Sequence, residues 1–209
     1  MLDLWDWRRQ ISDLYGAVRA SVDPEAGWRL WRDTRNRLYA HHSQTPLEAA
    51  ALARFTGVPL YPYDAGLRFL VGLTEISGPA LTLEAGHDGD VRAHPFARTD
   101  GLAALGGELT LYWIGGYGGG VFLPFSDATS GQETYGGGRY LLDTIKGADL
   151  GQAADGRVIL DFNFAFAPSC AHSDRFVCPL APLENRLLGA VRGGERNGSM
   201  VAWGQQFFL

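Results

Sequence analysis

The hydrophobic pattern of this chain changes period once, and that change constrains the fold more than any other feature of the sequence. Before residue 57 apolar side chains recur at steps of three and four; from Leu67 onward they alternate. In the first stretch Leu4, Trp7, Ile11, Leu14, Tyr15 and Val18 draw one stripe along a helix over residues 3–20. Asp23-Pro24 predicts the start of a second helix, with the aspartate as cap and the proline in the first turn, where its missing N–H costs nothing. Trp28, Trp31, Leu38 and Tyr39 are its apolar members; Arg29, Arg32, Arg35 and Arg37 are expected to be solvated. His41 and His42 close it, where positive charge is favoured by the carbonyl end. Pro46 to Phe55 reads as one more short helical segment, and Gly57 to Ala65 as a turn-rich connector.

After the connector, eight strands are expected at Leu67–Ile76, Ala80–Ala85, Val91–Pro95, Leu109–Ile114, Val121–Phe125, Thr134–Leu142, Val158–Phe166 and Leu187–Arg192. Short strands with brief Gly- and Asp-rich connections describe an antiparallel β-sandwich or a small β-barrel. The expected class is therefore mainly β (α+β) with an N-terminal helical hairpin. Residues 1–56 form the helical segment, 57–196 the antiparallel β domain and 197–209 a tail, within one compact unit. Strands and helices do not alternate, which excludes a doubly wound fold. Trp203, Phe207 and Phe208 in the tail are costly to expose, so the tail is expected to dock on the sheet or on a second copy of the chain.

Composition removes several functions. A net charge of −5 lacks the concentrated basic surface that nucleic-acid binding needs. No apolar run reaches the ~18 residues of a membrane helix. The start, MLDLWDWRRQ, carries acids where a secretion signal carries bases. A cytoplasmic location is expected, and with it reduced Cys170 and Cys178.

Polar residues among the later strands mark where chemistry would lie. Period-two alternation over Val158–Phe166 puts Val158, Leu160, Phe162, Phe164 and Phe166 on one face, and Asp161 and Asn163 together on the other. That second face is either hydrogen-bonded to loop backbone or the lining of a ligand pocket. Upstream, Tyr135 and Arg139 share a face of the strand returning from the Ser126–Gly131 turn, whose Asp127 and Thr129 are expected to fold back on the backbone. The triplet Gly136–Gly138 implies a bulge there, or close approach by backbone or ligand. Arg139 beside it is either a clamp for a carboxylate or phosphate, or half of a structural pair with an acid such as Asp161. The glycines of GGYGGG are not a nucleotide loop, because strands are expected on both sides and no helix opens after them.

Cys170, His172 and Cys178 have the side chains of a zinc site, but a Cys-x-His-x5-Cys run without a fourth ligand is a weak metal motif. Packed, reduced thiols are the expected state. A catalytic role for Cys170 requires a neighbouring base, and His172 is too near in sequence to be assumed correctly oriented.

FLPFSDATSGQETYGGGRYL, LDFNFAFAPSCAHSDRFVCPLAPLENRL and the closing VRGGE resemble the family of bacterial and archaeal proteins called DUF1684. WRDTRNRLYAHHSQTPL and FTGVPLYPYDAGLRF fit its N-terminal half, so the resemblance runs from about Trp28 to Glu195. It implies that Thr134, Tyr135, Arg139, Tyr140, Asp161, Asn163, Cys170, Cys178, Pro179 and Asn185 occupy the family's motif positions. Ala167 stands where the family pattern has Asn, and His172 where it has an aromatic residue, which weighs against a metal set that includes His172. The family has no assigned function. The residues themselves lead to a small polar or anionic ligand held by Tyr135, Arg139, Asp161 and Asn163. The alternatives are a hydrolase or transferase using Asp161 or Cys170, and a structural module that forms a homo-oligomer.

Overall fold

The structure is a computed structural model and describes residues 1–84 and 89–198. The expected strand end at Ala85 and the aromatic residues of the tail lie outside the described residues. Two long helices come first, α1 (Leu2–Ala20) and α2 (Pro24–His41), followed by the short α3 (Ala49–Leu52). Asp23 caps α2 by accepting the Glu25 N–H at 3.0 Å, and Pro24 sits in the first turn.

Among the described residues seven strands follow: β1 (Arg68–Glu75), β2 (Leu81–Leu83), β3 (Val91–Asp100), β4 (Thr110–Ile114), β5 (Gly120–Phe125), β6 (Arg139–Asp143) and β7 (Val158–Asp161). They pair antiparallel in the order β6-β5-β4-β3-β1-β7, with β2 also on β3. An antiparallel bridge between Tyr140 and Phe166, with N–H···O distances of 2.9 and 3.1 Å, brings the chain beyond β7 back to β6. The sheet thus curls into a nearly closed barrel. Its interior holds Val71, Leu111, Leu123, Phe125, Leu160 and Phe162. A second apolar layer joins the helices to the barrel wall through Ile11, Leu14, Trp28, Trp31, Leu38 and Phe164. Among the described residues, no helix is long and apolar enough to cross a membrane.

Three expected strands differ in form, each for a local reason. The run Val158–Phe166 ends as strand at Asp161, whose carboxylate accepts the Asn163 N–H and caps a 3-10 turn over Phe162–Phe164. The turn breaks the expected alternation: Phe162 enters the barrel while Phe164 joins the helical layer. The returning strand begins only at Arg139, because residues 135–138 form a turn and Gly138 has φ +89°, a left-handed conformation suited to glycine. The stretch Leu187–Arg192 forms no ladder; the carbonyl of Val191 accepts instead from the Arg139 side chain.

One helix expectation is also corrected. Arg35 is buried, with its guanidinium on Glu195 and on the Tyr39 hydroxyl and over the Trp31 ring. Through this pair α2 holds the segment that follows the barrel.

Candidate functional site

The four expected ligand-binding residues separate into three places. Arg139 lies inside, 1% exposed. Its Nη2 donates to Asp127 Oδ2 at 2.7 Å and to the Val191 carbonyl at 2.9 Å. Its Nη1 donates to the carbonyls of Gly193 and Glu195. Burial pulls the guanidinium below its usual pKa, and the Asp127 carboxylate opposes that pull. Of the two roles expected for Arg139, a ligand clamp or half of a structural pair, the engaged terminal nitrogens fit the pair, and its acid is Asp127 rather than Asp161. Asp127 also accepts the Thr129 N–H and hydroxyl at 2.5 Å each, so Asp127 has the turn role expected of it, whereas the Thr129 hydroxyl bonds the side chains of Asp127 and Thr134 rather than backbone.

Asn163 is a second internal tie. Its side chain accepts the Asp64 N–H at 2.9 Å and donates to the Asp64 carbonyl and to Asp161 Oδ1, both at 2.7 Å. Its own carbonyl accepts the Trp28 indole N–H at 3.0 Å. The shared polar strand face is therefore a cap and a loop staple. Asn185 does equivalent work across β4 and β5, accepting the Thr110 N–H and donating to the carbonyls of Thr110 and Pro124, all at 2.8 Å.

Asp161 keeps one unusual feature: its Oδ2 is buried with no hydrogen-bond partner. Burial raises its pKa to about 6 against the hydrogen bonds from Asn163. Asp161 lines a cavity of about 60 Å³ between the helical hairpin and the barrel, together with Ser21, Arg19 and Arg68. Arg68 is its cross-strand partner in register and lowers its pKa through charge. That space suits a few water molecules.

Tyr135 belongs to a different and larger space. A cleft of about 360 Å³ is walled by Leu83, Phe176, Val177 and Leu180, with Thr82 and Glu84 at its β2 side and Tyr135, Cys170 and Cys178 on the other. The Tyr135 hydroxyl lies 3.5 Å from the Cys170 sulfur. Burial and the Cys170 contact both raise the Tyr135 pKa, so the phenol is protonated at neutral pH. The loop carrying the cysteines is tied to the barrel at two points: the Tyr140 hydroxyl donates to the Pro179 carbonyl, and the Ala181 N–H donates to the Gly137 carbonyl at 3.0 Å. This docking accounts for the glycine triplet. A Cβ on Gly137 would stand 2.6 Å from the Tyr135 ring and 2.7 Å from Leu180, and one on Gly138 would stand 2.7 Å from Ala181.

Both cysteines are free and half-buried. Their mutual influence lowers the pKa of Cys178 and raises that of Cys170. The backbone N–H groups of Ser169 and Cys170 and the charge of Lys146 lower Cys178 further, while burial opposes them. His172 is not part of this arrangement. It stands edge-on to Tyr39 with ring centroids 5.4 Å apart, and its Nε2 points toward Glu195 at 3.9 Å, buried without a hydrogen-bond partner. Burial lowers its pKa and keeps it neutral. Among the described residues no cluster of three or more His, Cys, Asp or Glu is placed to hold a metal ion.

The sequence reading named Tyr135 and the cysteines but missed the apolar walls. Phe176 and Val177 were a usable signal, as two apolar residues following Asp174 and Arg175 in a loop. The buried Arg35–Glu195 pair was also missed. Its signal is position, since Arg35 falls on the helical stripe of Trp28, Trp31 and Leu38.

Fold and site together define a small, nearly closed antiparallel barrel, buttressed by a helical hairpin and carrying a thiol-lined cleft on its outside. The family model described as "Protein of unknown function (DUF1684)" matches residues 53–196, well over half of the chain. The chain belongs to the DUF1684 family. It is similar to an uncharacterized protein of Haloarcula marismortui solved by solution NMR, at 32% identity over 83% of this chain and 94% of that one, with a TM-score of 0.58. No curated protein matches it.

Proposed function

We propose that this protein binds a small molecule in the cleft between β2, Tyr135 and the Cys170–Leu180 loop. The observation that carries the reading is the cleft itself: about 360 Å³, apolar on Leu83, Phe176, Val177 and Leu180, with a protonated phenol and two thiols converging at one end. An apolar body with a few convergent polar groups is the usual make-up of a small-molecule site. The ligand that fits has a compact apolar part and a polar end that accepts from Tyr135. An anionic end is disfavoured here, because Arg139 is engaged elsewhere and Glu84 stands at the cleft. Of the residues first expected to bind the ligand, Tyr135 keeps that role; Arg139, Asp161 and Asn163 support the scaffold.

Leu180 is 47% exposed, so Leu180→Trp fills the cleft without disturbing the core. Ligand-observed NMR with a library of small neutral fragments should find binders to the native chain that are lost in Leu180→Trp, at an unchanged melting temperature. Fragments that bind both proteins equally would place the site elsewhere.

A further inference from the structure

The scaffold uses only one of the two carboxylate oxygens of Asp161. Its Oδ1 accepts the Asn163 N–H at 2.9 Å and the Asn163 side-chain amide at 2.7 Å. Its Oδ2 belongs to a residue only 1% exposed and has no hydrogen-bond partner among the described residues. A buried carboxylate oxygen without a donor is costly, and it calls for a partner from outside the chain. Asp161 lines the cavity of about 60 Å³ between the helical hairpin and the barrel, so the space for that partner is already built.

The rest of the lining sets the chemistry of the partner. Arg68 is paired in register with Asp161 across β1 and β7 and lines the same cavity. Its charge acts on Asp161, yet no hydrogen bond joins the guanidinium to Oδ2. Opposite charges thus face one small space without closing on each other. A bare cation there would meet Arg68 and Arg19, and a bare anion would meet Asp161. The start of α2 adds no anion site, because Pro24 has no N–H and the Asp23 carboxylate already takes the Glu25 N–H. Leu150, Ile159 and Phe164 make the remaining wall apolar.

We propose that this cavity is a second binding site, for an amino-acid-sized zwitterion whose ammonium donates to Asp161 Oδ2 and whose carboxylate accepts from Arg68. Both contacts are charge-assisted, and each needs the other, since either charge alone would face a like charge in the wall. Size limits the ligand further. At ~10–15 Å³ for each water-sized position, the cavity holds about four to six heavy atoms in place of its water. Glycine fits that count, and no side chain larger than a methyl does. The site also gives a reason for keeping a carboxylate that the fold alone does not need, because groups held for a ligand are commonly kept at the expense of stability. The proposal does not rest on the cleft at Tyr135: the two spaces lie on different elements, and neutral fragments lack the charges that this one matches.

The test is a ¹H–¹⁵N chemical-shift titration of the full-length chain with glycine at neutral pH, beside methylammonium, acetate and leucine at matched ionic strength. Glycine should give saturable shifts at the Ser21, Arg68 and Asp161 amides, with an affinity about tenfold or more above that of methylammonium or acetate. Leucine should give none. Asp161→Asn keeps the oxygen that caps the turn and should weaken glycine binding by about tenfold or more, as should Arg68→Gln. The ligand series on the native chain decides even if a variant folds poorly. No saturable response to glycine would leave the cavity to water and overturn the proposal. So would methylammonium or acetate binding as tightly as glycine, or a folded Asp161→Asn chain that binds glycine as the native one does.

Discussion

The closed polar network around Arg139, Asn163 and Asn185 and the open cleft at Tyr135, Cys170 and Cys178 are built from the same stretch of chain. They differ in one respect. In the network nearly every donor has an internal acceptor: Arg139 reaches Asp127 and three carbonyls, and Asn163 and Asn185 each make three side-chain hydrogen bonds. In the cleft the Tyr135 hydroxyl meets the Cys170 sulfur at the half-buried end of an apolar space. Buried polar groups that are saturated hold a fold together, whereas those that face an unfilled space are available to a ligand.

That contrast can be broken by substitution, beginning where the effect is largest. Arg139→Ala leaves Asp127 buried and unpaired and frees three carbonyls, and should cost about 3–5 kcal/mol in denaturant unfolding. Arg139→Lys should restore only part of this, because one ammonium cannot span the same set of acceptors. A loss below about 1 kcal/mol for Arg139→Ala would show that the network is not what holds the C-terminal segment to the barrel.

Asn185→Ala should cost about 2–4 kcal/mol by stranding the Thr110 and Pro124 backbone groups between β4 and β5. Hydrogen exchange at Thr110 is the sensitive readout, and unchanged protection there would remove Asn185 from the network.

Asp161 is the exception inside the closed region, and its sign is distinctive. Its pKa is about 6 in the folded chain against an ordinary 3.8, so the folded state binds the extra proton between those values. The stability from this group is therefore fully present below about pH 4 and is lost as pH rises through 6, a decline of about 2–3 kcal/mol. Asp161→Asn should flatten the profile between pH 4 and 6 and exceed the native chain at pH 7 while matching it near pH 4. A native profile that rises with pH across that window would contradict the buried, partnerless Oδ2.

The smallest effect belongs to the cleft. Tyr135→Phe removes a hydroxyl whose one hydrogen bond among the described residues is the 3.5 Å approach to Cys170, and should cost under about 1 kcal/mol while weakening fragment binding. A larger loss of stability would move Tyr135 into the network.

Local features were legible in the sequence. The Asp23 cap, the two helical stripes and most strand positions follow from periodicity and turn chemistry acting within a few residues. The barrel and sandwich remained alternatives because closure depends on one long-range bridge, Tyr140 to Phe166, that no local pattern encodes. Asp161-x-Asn163 was legible as a possible tie to loop backbone, which Asn163 makes with Asp64, but not as a turn cap, because a spacing of two is shared by one face of a strand and by a side-chain cap over the following turn. Arg139 was legible as special but not as saturated, since three of its four acceptors are carbonyls more than fifty residues away. The cysteine loop gave its polar residues to the sequence reading, while the cleft emerged only when β2 supplied the opposite wall.

The most direct measurement is ¹H–¹⁵N chemical-shift mapping of the native chain with the fragments that bind it. Saturable shifts should gather at Leu83, Tyr135, Cys170 and Phe176–Leu180, leaving the Arg139, Asn163 and Asn185 amides in place. Shifts centred instead on Arg68 and Asp161, with the cleft amides silent, would contradict the account.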